Sequence, residues 1–291
     1  MKKIYFDTNT IDRAEDSWTA GEFESLLSSQ GFIPSISIHN MYELAKGFLE
    51  DEKEGRIRCL FRFLDQLENP HLVPPTQDLI RAEIDKVQGR GIQLLIMHEE
   101  NRRRMREEIW RMAYGSTDDA KRFIQKRESK IIREVPLVAQ EIIRRVDELG
   151  MANPEYYKIP GSFVEFKDSL KLEDKLGTLR MGLGNMGIEF LELDLQRILI
   201  NSEDYPVINT WLNSNFYLHW IPAKYKKSPS LDKFSDFRHV VNCCAVDILV
   251  SDDKKLIDRF SDLNPFRECL SWDLFKSGLE GENPTGVLAN Q

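Results

Sequence analysis

Residues 3–11 read KIYFDTNTI: Ile4, Tyr5 and Phe6, all β-prone, run directly into the carboxylate of Asp7, with Thr8, Asn9 and Thr10 behind it. The apolar run predicts a strand over 2–6, buried by its neighbours, and a charge at the tip of such a strand needs a reason. Either Asp7 starts a turn or caps the next helix, or it is one corner of an acidic site. In the second case, further acids should stand at other strand ends.

Outward from that strand, GEFESLLSSQ (21–30) has apolar residues at 23, 26 and 27, a helical spacing stopped by Gly31. FIPSISI (32–38) reads as a second strand. Residues 39–67 carry helical periodicity with an interruption near Gly55, PHLVPP (70–75) is a short strand closed by prolines, and 76–89 begins another helix. Strands alternating with helices predict a parallel α/β sheet. From Ile92 to Leu149 no strand is evident and charged helical stretches dominate, with Ser116 and Asp119 forming a capping-box start and Pro136 a kink or stop. GTLRMGLGNMG (177–187) is punctuated by glycine, and 211–227 is compatible with helix or strand. From 228 the α/β pattern resumes: 231–245 has helical spacing, VDILVS (246–251) is a buried strand, 252–260 a helix, and ECLSWDLF (268–275) a strand running into a turn. The expected architecture is a central parallel sheet of four or five strands flanked by helices, with 2–6 and 247–250 adjacent near its middle. Its two parts, 1–91 and 228–291, are separated by a large, mostly helical insertion, 92–227, expected to emerge from one side.

The composition, 291 residues with 41% hydrophobic and 30% charged, is that of a globular chain rather than a disordered one. No apolar run reaches the roughly 18 residues of a membrane span, and the three apolar residues before Asp7 are too few for a signal-peptide core. The four cysteines show no zinc-type pairing, and Cys243 and Cys244 read as small core residues, so a reducing cytoplasm is expected. The net charge is −8, yet residues 101–133 hold eleven Lys or Arg against five Asp or Glu, leaving about −14 on the rest. Arg122, Lys126, Lys130 and Arg133 share one helical face, which reads as a solvated, ion-paired surface or as a grip for nucleic acid.

The acids recur where strands end. Asp7 follows the first strand, Glu43 falls in the helix after the second, Asp236 opens the helix before VDILVS, and Asp252 and Asp253 follow that strand. In a parallel sheet these positions gather at the carboxyl edge, where open α/β folds place their sites. Two carboxylates about 4 Å apart repel by roughly 4 kcal/mol at an effective dielectric near 20. Crowded acids therefore take up protons or hold a cation, and oxygen ligands suit Mg²⁺ or Mn²⁺. Singly, each acid has a plainer use as a turn, cap or solvated residue.

IYFDTNTI, SISIHNMYELAKG and DFRHVVNCCAVDILVSDDKKL resemble, in order, the three motif blocks of PIN-domain ribonucleases. The resemblance covers roughly 1–91 and 228–291 and implies a PIN-like fold and a metal-dependent endoribonuclease. It puts Asp7, Glu43, Asp236 and Asp253 in a catalytic Mg²⁺ or Mn²⁺ site, with Asn9 and Ser251 supporting them. Ser37 matches the serine of the second motif, while Asn40 replaces its usual threonine. Asp252 competes with Asp253, and Asp232 with Asp236. His239, three residues after Asp236, is either a helix-surface residue or a support that touches phosphate or orients Asp236; the other histidines show no metal spacing. The implied partner is RNA, with a regulatory protein as a further candidate. FDTNT also looks a little like the haloacid-dehalogenase phosphatase motif, but Asn9 stands where that chemistry needs a second aspartate. A catalytically silent PIN-like scaffold that binds RNA or protein is the non-enzyme alternative.

Overall fold

The computed structural model describes residues 1–90, 97–126, 139–141, 143–144, 147–148, 159–228 and 231–281. Its strands are β1 (Lys2–Phe6), β2 (Phe32–Ser37), β3 (His71–Val73), β4 (Ile248–Ser251) and β5 (Glu268–Ser271), all parallel, in the order β3-β2-β1-β4-β5. The expected central pair is present: Tyr5 of β1 lies opposite Ser35 of β2 on one side and Leu249 of β4 on the other. The helices are α1 (Thr8–Ser17), α2 (Ala20–Ser29), α3 (Ile38–Lys46), α4 (Glu54–Gln66), α5 (Thr76–Val87), α6 (Glu99–Tyr114), α7 (117–126), α8 (Phe163–Ser169), α9 (Leu172–Asn185), α10 (Glu192–Ile200), α11 (Pro206–Tyr225), α12 (Leu231–Asn242), α13 (Lys254–Leu263) and α14 (Trp272–Leu279).

Strand alternation divides the interior into two cores. Ile4 and Phe6 of β1, with Ile248 and Val250 of β4, face a core shared with α1–α4, α6, α7 and α14. Tyr5 and Leu249 face the opposite core, built with α5 and α8–α13. The insertion therefore does not emerge from one side. Its first described helices send Met105, Ile109 and Met112 into one core, and α9–α11 send Leu179, Leu195 and Phe216 into the other.

Local chemistry explains where several elements begin and end. Thr19 and Glu22 form the capping box of α2, and Gly31, at φ +78, makes the left-handed turn into β2. The break in the long periodic stretch comes at Gly47 rather than Gly55. The chain passes there through two short 3₁₀ segments before α4, and a Cβ at Gly47 would stand 2.5 Å from Ile57 Cδ1. The stretch 211–225, ambiguous in sequence, belongs to α11, which is buried along most of its length and so carries no amphipathic period. Among the described residues, no helix is long and apolar enough to cross a membrane.

The arginine-rich α6 is laced by its own acids: Arg102 pairs with Glu99, Arg103 with Glu107, Arg104 with Glu100 and Arg111 with Glu108. Arg122 pairs with Asp119 at 2.7 Å and Lys126 is exposed. Lys130, Arg133 and Pro136 lie outside the described residues. Over the described part, five of the run's arginines pair with acids of their own helices.

Candidate metal centre at the carboxyl edge of the sheet

From β1 the chain steps outward to β2 and β3, then crosses to β4 and β5 on the other side. The crevice outside the carboxyl ends of β1 and β4 is thus a topological switch point. Asp7, 5% exposed, sits there as the N-cap of α1, its Oδ1 accepting the Thr10 N–H at 2.8 Å. Its Oδ2 accepts from the hydroxyl of buried Ser251, the last residue of β4. The same Ser251 Oγ accepts the Asp253 N–H at 3.0 Å. Asp253 in turn caps α13, accepting from the backbone N–H groups of Lys255 and Leu256. Its neighbour Asp252 is instead ion-paired with Arg13 at 2.6 Å, which separates the roles of the two adjacent acids.

Glu43, on α3, accepts from Thr8 Oγ1 and from His239 Nε2, the latter at 2.6 Å. The buried chain continues from His239 Nδ1 to Tyr5 Oη at 2.7 Å and from there to Ser37 Oγ at 2.6 Å. Ser37 caps α3 with Asn40 as its reciprocal partner, and Asn40 Nδ2 donates to the Phe6 carbonyl at 2.8 Å. Asn40 thereby pins α3 to the end of β1.

Asp236, on α12, is the fourth acid. Its carboxyl is pushed up to about 6, first by burial, then by the charges of Asp253 and Glu43, against the opposing pull of His239 and Arg259. Among the described residues its carboxylate has no hydrogen-bond donor, unlike those of Asp7, Glu43 and Asp253. The side chain of Asp232 lies outside the described residues. Burial presses His239 toward its neutral form, but the charge and hydrogen bond of Glu43, with Asp7 and Asp236 behind, outweigh it and the pKa is raised.

Two expected supports are placed differently. Asn9 is exposed on the first turn of α1, and among the described residues its side chain makes no hydrogen bond; Thr8 and Thr10, on either side, do the holding. His239 orients Glu43 rather than Asp236. His39 was not anticipated, although it stands at i,i+4 to Glu43 on one face of α3. Its Nε2 lies 3.7 Å from Glu43 Oε1, and His39, Glu43 and His239 offer ligand atoms within 4.8 Å of one another.

The donor set therefore contains a nitrogen-rich and an oxygen-rich possibility sharing Glu43. An ionised Glu43 can only accept, so Nε2 of His239 carries a proton in either protonation state, and Nδ1 is engaged by Tyr5. As a metal ligand His239 would have to abandon one of these buried partners. It fits better as a residue that holds Glu43 in place. Carboxylate oxygens suit a hard divalent cation, but among the described residues no three of Asp7, Glu43, Asp236 and Asp253 offer theirs within 4.8 Å of one another, as His39, Glu43 and His239 do. Asp236, without a donor, is the acid a cation would relieve most. Compared with known protein families, curated proteins and solved structures, the chain matches none.

Proposed function

We propose that the chain is a PIN-like nuclease dependent on Mg²⁺ or Mn²⁺, cleaving phosphodiester bonds of RNA. The observation that carries this reading is the Ser251 hydroxyl that ties Asp7 to Asp253 at the edge where half-buried Asp236 feels the charges of Asp253 and Glu43. Asp7, Glu43, Asp236 and Asp253 would hold the ion. Once bound, it supplies an activated water and neutralises charge on the phosphate. The chain's own contribution is to hold three of the four acids in place before any ligand arrives. Thr10 and Ser251 hold Asp7, Thr8 and His239 hold Glu43, and the first turn of α13 holds Asp253.

The strand order is shared with doubly wound nucleotide-binding folds, so order alone does not choose the chemistry. A dinucleotide site of that kind needs glycines in the turn after β1, where this chain has Asp7, Thr8 and Asn9. A phosphatase of the haloacid-dehalogenase kind needs Asp7 as a free nucleophile with an acid two residues on. Here both Asp7 oxygens accept hydrogen bonds, and Asn9 holds the second position.

The test is cleavage of labelled single-stranded and structured RNA by the purified chain with Mg²⁺, Mn²⁺ or EDTA, beside an Asp236→Asn variant. Cleavage that needs the metal and is lost in the variant is expected. An intact substrate under all metal conditions refutes the nuclease and favours a silent scaffold.

A further inference from the structure

Next to the acidic edge, on the side of the second core, α3, the turn from β3 into α5, α9, α11 and α12 enclose a pocket of about 420 Å³. That volume falls within the ~300–1,000 Å³ of small-molecule sites. Three rings, Tyr42, Trp211 and Phe237, line it. Two amides on its wall are turned by their own bonds: Gln77 Nε2 donates to the Met186 carbonyl and Asn215 Nδ2 to the Trp211 carbonyl, each at 2.8 Å. Among the described residues neither amide's carbonyl oxygen accepts a hydrogen bond, so each remains available to an N–H donor.

Two further wall residues join the pocket to the acids. His39 lies 3.7 Å from Glu43, as described above. Arg238 precedes His239 on α12 and is partly buried; among the described residues it makes no ion pair or hydrogen bond. A guanidinium offers five donors in a planar fork, and leaving it half-desolvated without an acceptor is costly. A phosphate group satisfies that fork in bidentate fashion. Unstacked bases, for their part, are held by aromatic faces and by hydrogen bonds along their edges.

We propose that this pocket binds one nucleotide of a single-stranded nucleic acid, its base among Tyr42, Trp211 and Phe237 and its phosphate on Arg238, presenting the adjoining phosphodiester to the acidic edge. The word nucleic acid rests on the nuclease reading; the pocket's affinity for a nucleotide does not. The assignment also gives part of the insertion a task, since Met186, Trp211 and Asn215 come from 92–227 and not from the two α/β parts. Trp211 is seated by an absence: a Cβ at Gly182 would fall 2.0 Å from its Cη2.

The test uses the full chain in EDTA, so that binding is read without cleavage. Titration calorimetry with the four ribonucleoside 5′-monophosphates, with ribose 5-phosphate and with inorganic phosphate separates base from phosphate. At least one mononucleotide is expected to bind about tenfold or more tighter than phosphate. Arg238→Met should weaken all phosphate-bearing probes by about tenfold. Trp211→Leu, at a residue that is not fully buried, should weaken the mononucleotides and leave phosphate unchanged. Thermal unfolding of each variant verifies that it is folded. No mononucleotide binding at concentrations on the order of 1 mM, or equal binding by wild type and folded Arg238→Met, overturns the proposal. RNA cleavage without mononucleotide binding removes the pocket assignment and keeps the nuclease. Mononucleotide binding with RNA left intact does the reverse.

Discussion

Ser251 Oγ gives its proton to Asp7 and takes the N–H of Asp253, so one hydroxyl at the tip of β4 sets the relation between acids from the two ends of the chain. Ser251→Ala leaves a buried carboxylate oxygen and a backbone N–H without this partner. A stability loss of about 1–3 kcal/mol is expected. Mn²⁺ affinity should fall by about 10–100-fold, as for other residues that orient ligands. Calorimetric titration with Mn²⁺ measures it, and an unchanged affinity would show that this tie has no bearing on the metal.

Asp7→Asn removes a charge and almost no volume, and asparagine caps helices about as well as aspartate. In EDTA the melting temperature of the variant is expected to equal or exceed that of wild type, because one member of a repelling set is gone. RNA cleavage should be lost. Wild-type cleavage at matched Mg²⁺ or Mn²⁺ would reduce Asp7 to a cap.

A buried acid outside the candidate site also makes stability depend on pH. Glu83 of α5 accepts the N–H groups of Val207 and Ile208 at 2.9 and 2.8 Å, closing the start of α11. Burial nevertheless pushes its carboxyl up to about 7. The folded chain then holds a proton between about pH 4.5 and 7 that the unfolded chain has released. Glu83 therefore contributes most below about pH 4.5, and this contribution, roughly 3 kcal/mol, is lost as pH rises to about 7. Urea unfolding of wild type and Glu83→Gln at pH 5 and pH 8 isolates it; identical pH slopes in the two proteins would contradict the assignment.

Two glycines of α9 should respond oppositely to alanine. At Gly177 nothing lies within 4 Å of an added Cβ, so Gly177→Ala is expected to stabilise by about 0.5–1 kcal/mol through helix propensity. At Gly182 the new methyl meets the Trp211 ring, and overpacking of about 1–3 kcal/mol outweighs the same gain. Thermal melts compare the pair, with tryptophan emission reporting the displaced indole. Equal stabilisation by both would mean that Trp211 is not held where it is described.

The central pair of the sheet was legible because β1 and β4 are short apolar runs, each followed within two residues by a carboxylate, and such runs have few places to go except the middle of a parallel sheet. The division of work around the acids was less so. Asn9 and Thr8 are adjacent polar residues with equal claims in sequence, and only the turn from β1 into α1 decides which one faces Glu43. α1 itself carries few apolar residues beside its charges and buries only Thr10, Ile11 and Ala14. α11 fails in the opposite way, being apolar on too many sides to show a face. His39 had a readable signal, the i,i+4 spacing to Glu43, but His239 completes that group from the far end of the chain.

The central pair of the sheet joins β1 to β4, a strand far along the chain, and the same seam closes the acidic edge. A nascent chain that has not reached residue 231 carries Asp7 and Glu43 but neither Asp236 nor Asp253. β1 has no β4 to pair with until then, and pairing across such a separation is slow. Until residues 231–253 have been made, the nascent polypeptide lacks two of the four acids of the candidate site.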